Sequence, residues 1–170
     1  MDALECIHTR RSVRKYTDEP VSPEDIREML SAAMTAPSAC KQFPWHFVLV
    51  TDPAKLKAVK AFSPHAGMAA RAPLAVLVCA DTALETRCPG YWVQDCAAAV
   101  ENLLLAARAL GLGAVWTGSY PREDRVEGFR ALLDIPENVV PMAFLVVGHP
   151  AEPQERADRF LADRVHENSW

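Results

Sequence analysis

A chain of 170 residues with 18 Lys and Arg against 22 Asp and Glu, a formal net charge of -4 and 50% hydrophobic residues is long enough for a core of its own, since a chain of this size removes roughly 70% of its unfolded surface from water. The acidic balance argues against nucleic acid as a partner, because a polyanionic backbone needs several spread cationic contacts. No apolar run approaches the ~18 residues of a membrane span, and Met1-Asp2-Ala3-Leu4-Glu5 has neither the basic start nor the apolar stretch of an export signal, so one cytoplasmic domain over residues 1–170 with no membrane partner is expected.

In chain order, a short helical segment precedes Arg10. Ser22-Pro23-Glu24-Asp25 combines a capping hydroxyl, a proline at the first helical position and acids in the first turn, which predicts a helix from Pro23 to about Ala36, stopped by Pro37. His46 to Thr51 reads as a strand, and Asp52-Pro53 caps a helix running to about Phe62. Leu74 to Ala80, LAVLVCA, is a continuous apolar run suited to a sheet buried on both faces. From Tyr91 to Leu110 apolar residues recur at Val93, Ala97, Val100, Leu104 and Ala107, with further alanines between them, which predicts a long helix packed from several sides. A helix from Pro121 to about Leu133 separates two last strands, Ala114 to Thr117 and Met142 to Gly148. The expected fold is α+β, a three-layer sandwich without repeats or linkers.

Arg10-Arg11-Ser12-Val13-Arg14 places three guanidinium groups and a hydroxyl within five residues. Arginine forks grip phosphate oxygens in pairs and a serine hydroxyl adds a compact donor, so one small phosphate group is the natural ligand. Other signals are weak. Cys6, Cys40, Cys79, Cys88 and Cys96 are odd in number and contain no Cys-x-x-Cys pair, so neither a disulfide framework nor a zinc site is expected and most should fill core. The five histidines lack His-x-x-x-His spacing, so no metal is expected either. Gly111-Leu112-Gly113 would need a third glycine where Trp116 stands and precedes a strand instead of following one, which excludes a dinucleotide fingerprint. No phosphate-binding P-loop, nucleophile elbow or Cys-His pairing of a recognisable family spacing is present.

Five segments in order, Arg10-Arg11-Ser12-Val13-Arg14-Lys15-Tyr16, Ala36-Pro37-Ser38-Ala39 leading to Pro44-Trp45-His46-Phe47, the alanine-rich helix, Trp116-Thr117-Gly118 and Gly148-His149-Pro150, resemble the FMN-dependent nitroreductase family over nearly the whole chain. The resemblance implies a homodimer with FMN between its subunits, a mixed and mostly antiparallel sheet in a three-layer sandwich, and an exchanged C-terminal arm, here Arg159 to Trp170. It also implies roles. Arg10, Ser12 and Arg14 would hold the FMN phosphate and ribityl chain, with Arg11 as a structural partner. Pro37, Ser38 and Ala39 would cover the flavin of the other subunit, Thr117 and Gly118 would bring backbone N–H groups to the ring, and Arg159 would reach the phosphate again. Lys41 stands where the family usually has asparagine; its ammonium either favours an anionic reduced flavin or points to solvent. Phe43 either lines the substrate pocket or fills core behind Trp45.

The activity implied is transfer of hydride from NADH or NADPH through flavin N5 to a small aromatic acceptor, a nitroaromatic or a quinone, in two half-reactions. The cofactor carries such chemistry, so no catalytic side chain and no metal are required. The alternative is a protein that binds, stores or senses flavin with little turnover.

Overall fold

The computed structural model describes every residue except 155, 157 and 158. Its centre is an antiparallel four-stranded sheet in the order β1-β2-β4-β3, built from β1 (Trp45–Val50), β2 (Leu74–Asp81), β3 (Gly113–Gly118) and β4 (Val139–Gly148). Around it lie α1 (Ala3–Thr9), α2 (Pro23–Met34), α3 (Pro53–Ala58), α4 (Trp92–Ala109) and α5 (Glu123–Leu133). Every strand pair is antiparallel, and parallel geometry is confined to the isolated bridge between Ser12 and Ala114 on the outer side of β3.

Side-chain alternation along β2 explains the three layers. Leu74, Val76, Val78 and Ala80 face a core shared with α2 and α4, whereas Ala75, Leu77 and Cys79 face a second core built with Leu56, Val59 and Phe129. A strand buried on both faces needs no polar alternation, and LAVLVCA has none. In the first core, Val100, Leu103 and Ala107 of α4 are fully buried, and α4 lies between the sheet and α2. In the second, Phe129 meets Phe62 edge-on at 4.9 Å and Phe144 at 4.9 Å.

The ends of several elements depart from the sequence expectation for local reasons. Helix α2 stops at Met34, where the Thr35 hydroxyl bonds the Ala32 carbonyl at 2.6 Å and Pro37 turns the preceding residues away from helical geometry. Helix α3 ends at Ala58, and Val59–Ala61 continues as a tighter 3-10 turn. Strand β4 begins three residues before Met142 and runs through Pro141, although it is central. Pro141 pairs with Cys79 where the register of β2 against β4 shifts, so its missing N–H falls at the irregularity. Gly111-Leu112-Gly113 is a helix stop: Gly111 adopts φ +80°, its N–H bonds the Arg108 carbonyl, and Leu112 N–H bonds the Ala107 carbonyl.

The cysteines divide. Cys6, Cys79 and Cys96 are buried free thiols, and burial pushes both Cys79 and Cys96 up to about 12, which leaves them protonated and inert at neutral pH. Cys40 and Cys88 form a disulfide across a sequence separation of 48 residues, contrary to the expectation from an odd count. The pairing of Trp45 with Ala80 and the bond from Asp81 N–H to the Pro44 carbonyl bring the flanks of β1 and β2 together, which places these two cysteines side by side. Among the described residues no helix is long and apolar enough to cross a membrane.

Candidate functional site

After α1 the chain runs extended along the outer edge of β3. Val13 N–H donates to the Ala114 carbonyl at 3.0 Å, Thr17 N–H to the His149 carbonyl at 2.9 Å, and Ala151 N–H to the Lys15 carbonyl at 3.0 Å, so residues 12–17 are stitched to the sheet edge and to the segment after β4. Two inward side chains anchor the run. Val13 packs on Gly113, where an added Cβ would lie 2.7 Å from Val13 Cβ, and the Tyr16 ring lies over Gly148. The Tyr16 hydroxyl donates to the carbonyls of Val13 and Val146, and burial holds its ionisation well above the usual tyrosine range.

Extended backbone sends alternate side chains to opposite sides, so with Val13 buried, Ser12 and Arg14 face outward. They line a cleft of about 410 Å³ with Arg11, Val13, Lys15, Glu152, Pro153 and Gln154. Arg11 Nη1 donates to the carbonyls of His8 and Arg10, while its Nη2 is buried without a partner among the described residues, as is Nε2 of Gln154, which lines the same cleft. Arg10 turns the other way and pairs with Glu101 of α4, Nε to Oε1 at 3.5 Å. The structure therefore places Arg11, and not Arg10, in the wall of the cleft. Lys15 pairs with Glu152 at the exposed rim, an interaction worth little by itself. Arg159 is exposed and is not among the residues lining this cleft.

A second cleft, of about 460 Å³, adjoins the first at Arg14, which lines both. Its other walls are His65, Met68, Val115, Trp116, Thr117, Gly118 and Arg125. The backbone here has a definite polarity. Ser119 N–H donates to the Met142 carbonyl, and the register pairs Thr117 with Phe144, so residues 115 and 117 direct their backbone groups to β4. Antiparallel alternation then sends those of Ala114, Trp116 and Gly118 to the open edge, as the bond from Val13 to Ala114 requires. Beyond Ala114 that edge has no strand, and the N–H groups of Trp116 and Gly118 have no backbone partner among the described residues. Thr117 is buried with its hydroxyl bonded to the Phe144 carbonyl at 2.8 Å; Gly118 is the residue that offers a donor. Arg125 Nη1 holds the Gly118 carbonyl at 2.7 Å, and its Nε is buried without a partner.

The expected turn lies elsewhere. Ser38 Oγ and Ala39 N–H both donate to the carboxylate of Asp95, each at 3.0 Å, and Ser38 Oγ accepts from Phe43 N–H. Asp95 is buried in the first turn of α4 and was not singled out by sequence. Cys40, Lys41 and Phe43 have positive φ of 52°, 56° and 47°, a region non-glycine residues rarely adopt. Gln42 ties the turn to residues 87 and 88, accepting from Arg87 N–H and Cys88 N–H. Lys41 is exposed, and Phe43, half exposed, packs on Trp45 with ring centroids 5.5 Å apart. None of Pro37, Ser38, Ala39 and Lys41 lines either cleft.

The donor set defines what fits. Ser12, Arg11, Arg14, Gln154, Arg125 and the Gly118 N–H line two spaces that share Arg14, and three buried donors there lack partners among the described residues. An anion rich in acceptor oxygens joined to a flat group with an acceptor edge, such as the phosphate and ring of FMN, would satisfy them.

Comparison with known proteins agrees. A family model described as "Nitroreductase family" matches residues 7–78 and 64–149. A Methanothermobacter thermautotrophicus protein provisionally named NADH dehydrogenase/NAD(P)H nitroreductase is 51% identical over 170 residues, covering 100% of this chain and 88% of its own. A crystal structure of a protein with the same provisional name from Bacteroides thetaiotaomicron superposes with a TM-score of 0.94 at 42% identity, covering 99% of this chain and 98% of that one. An FMN-dependent nitroreductase from Clostridium difficile does so with a TM-score of 0.90 at 26% identity, covering 98% and 99%. The matched motifs, the antiparallel sheet with its three layers and these relatives agree on one assignment: the chain belongs to the nitroreductase family.

Proposed function

We propose that the protein is an FMN-dependent oxidoreductase that uses NADH or NADPH to reduce nitroaromatic, quinone or similar small aromatic acceptors in two successive half-reactions. The observation that carries this reading is the pair of joined clefts at Arg14, lined by donors along an open strand edge. The names of the relatives support the cofactor and the electron donor.

Bound FMN would supply the ring that takes up and returns hydride. The chain's own residues bind and orient. Arg11, Ser12 and Arg14 hold the phosphate and its attached chain through charge-assisted hydrogen bonds, and the buried Arg11 Nη2 gains the partner it lacks. Gly118 N–H offers a fixed donor to the acceptor edge of the ring. No side chain here is needed as nucleophile, acid or base.

A homodimer completes the site on this reading. Leu4 and Ile7 of α1 and Met34 of α2 are 67%, 52% and 52% exposed, an apolar face on the side of the first core, and Leu161, Val165 and Trp170 are exposed on the C-terminal segment. The 38–43 turn, which serves neither cleft of its own chain, is free to cover the partner's flavin with Pro37, Ser38 and Ala39 and to bring Lys41 to the ring edge. On an exchanged C-terminal arm, Arg159 would reach the phosphate.

Arg14→Ala removes a charge-assisted hydrogen bond worth roughly 1.5–3 kcal/mol, so FMN affinity should fall about tenfold to a hundredfold with the fold intact. Titration of apoprotein by flavin-fluorescence quenching measures this, with circular dichroism as the folding control and NAD(P)H oxidation with menadione or a nitrofuran as the activity test. Unchanged affinity in a folded variant would remove Arg14 from the site, and wild-type protein that binds FMN without turnover would favour the flavin-storing alternative.

A further inference from the structure

Arg125 lies one turn into α5, at the point where the chain returns after the end of β3. Four observations set it apart. Its Nη1 donates to the Gly118 carbonyl at 2.7 Å, seven residues back along the chain. Its Nε is buried and has no hydrogen-bond partner among the described residues. It lines the cleft that also holds Arg14, His65, Trp116 and Gly118, and none of the described residues lining it is acidic. Asp124, the adjacent acid, is engaged elsewhere: its carboxylate accepts from Arg122 at 3.2 and 3.4 Å on the surface.

The bond to Gly118 has a geometric consequence. Ser119 and Tyr120 N–H groups both go to the Met142 carbonyl, so the segment leaving β3 is clamped on the sheet side. On the open side the Gly118 carbonyl is bonded only by Arg125 among the described residues, and that bond fixes the peptide group joining Gly118 to Ser119, next to a residue with no side chain to fix it. The Gly118 N–H, one peptide group earlier, is sent to the same open side by the pairing of Thr117 with Phe144, so Arg125 secures the strand end on which that donor stands. The same guanidinium brings a permanent positive charge into a partly desolvated space whose described lining holds no acid, where charge acts more strongly than in water.

We propose that Arg125 is a positioning residue: it fixes the peptide group that follows Gly118 at the open end of β3 and supplies the positive charge that favours the anionic reduced ring of bound FMN over its neutral oxidised ring. This rests on the FMN reading given above. Arg125 acts through Gly118 and through its field, and need not touch the ring.

The test uses the FMN-loaded protein and three forms of it: wild type, Arg125→Gln and Arg125→Lys. The two-electron midpoint potential of bound FMN is measured by equilibration with redox dyes, and the affinity for oxidised FMN by fluorescence quenching. Loss of the charge in Arg125→Gln should reduce the preference for reduced over oxidised FMN about tenfold, which is a fall of about 30 mV for a two-electron couple. Arg125→Lys keeps the charge and should keep most of the potential, but it loses the fork on Gly118 and should bind oxidised FMN several-fold more weakly. A folded, loaded Arg125→Gln protein with the wild-type potential would overturn the proposal. If that variant fails to fold, Arg125→Lys decides, because wild-type affinity there would overturn the positioning role. Wild-type protein that takes up no FMN would instead defeat the functional reading, and this inference with it.

Discussion

Gly113→Ala should cost the protein its grip on FMN although Gly113 itself lines neither cleft. An alanine Cβ at this position would lie 2.7 Å from Val13 Cβ and Cγ1 and 2.8 Å from Cγ2. Those atoms are at the root of a β-branched side chain, not at a flexible tip, so relief requires the backbone of residues 12–14 to move off the sheet edge. Overpacking of this kind costs about 1–3 kcal/mol, and it falls on the anchor between Ser12 and Arg14 in the arginine segment. The Val13–Ala114 hydrogen bond would lengthen, and Ser12 and Arg14 would leave their shared orientation. FMN affinity is expected to fall at least as far as in Arg14→Ala, with a modest loss of thermal stability. Fluorescence titration together with thermal unfolding tests this. Wild-type affinity in Gly113→Ala would mean that the segment is not held by its packing on β3.

Asp95→Ala should give the largest loss of stability among single changes near the 38–43 turn. The Asp95 carboxylate is 5% exposed and accepts two hydrogen bonds, from Ser38 Oγ and Ala39 N–H. Its removal leaves both donors without their acceptor, and hydrogen bonds to a charged group are worth roughly 1.5–3 kcal/mol each. A destabilisation of about 3 kcal/mol is expected, which for a chain of this length lowers Tm by roughly 6–12 °C. Asp95→Asn retains one acceptor oxygen and should recover part of the loss. Thermal unfolding followed by circular dichroism gives the result, and a Tm for Asp95→Ala equal to wild type would show that the turn is held by the Cys40–Cys88 and Gln42 ties alone.

What could be read from sequence follows the range of the interactions involved. Strand β2 announced itself because seven consecutive apolar residues leave no solvent-facing side, and α4 because its alanines and leucines wrap the whole helix. The arginine segment was recognisable as chemistry because its residues are neighbours in the chain. Which arginine faces the cleft was not, since that depends on Glu101, ninety residues away, drawing Arg10 outward. His65 and Met68 carried no signal at all. They sit in an irregular 3-10 stretch, Pro64–Arg71, with no periodicity to orient them. Asp95 was not singled out, because only the fold brings Ser38 and Ala39 to it. The last strand was expected only from Met142, and the register shift opposite Cys79 is what lets it run through Pro141.

The cleft around Arg14 and Arg125, with no acid among its described lining residues, sits on a molecule whose formal net charge is -4. An anionic ligand therefore meets two fields of opposite sign on its way in. At separations beyond a Debye length of about 8–10 Å the overall charge repels it weakly, and added salt removes that barrier. Within contact distance the guanidinium groups attract it through partly desolvated surroundings, where salt acts less. Raising ionic strength should then speed arrival while loosening the bound state only slightly, the reverse of the steep slowing seen when a basic protein gathers an anion by long-range steering. The protein selects its anion at the last few ångströms and not from a distance, so a compact ligand that can enter the cleft is favoured over a large polyanion held off by the surrounding surface.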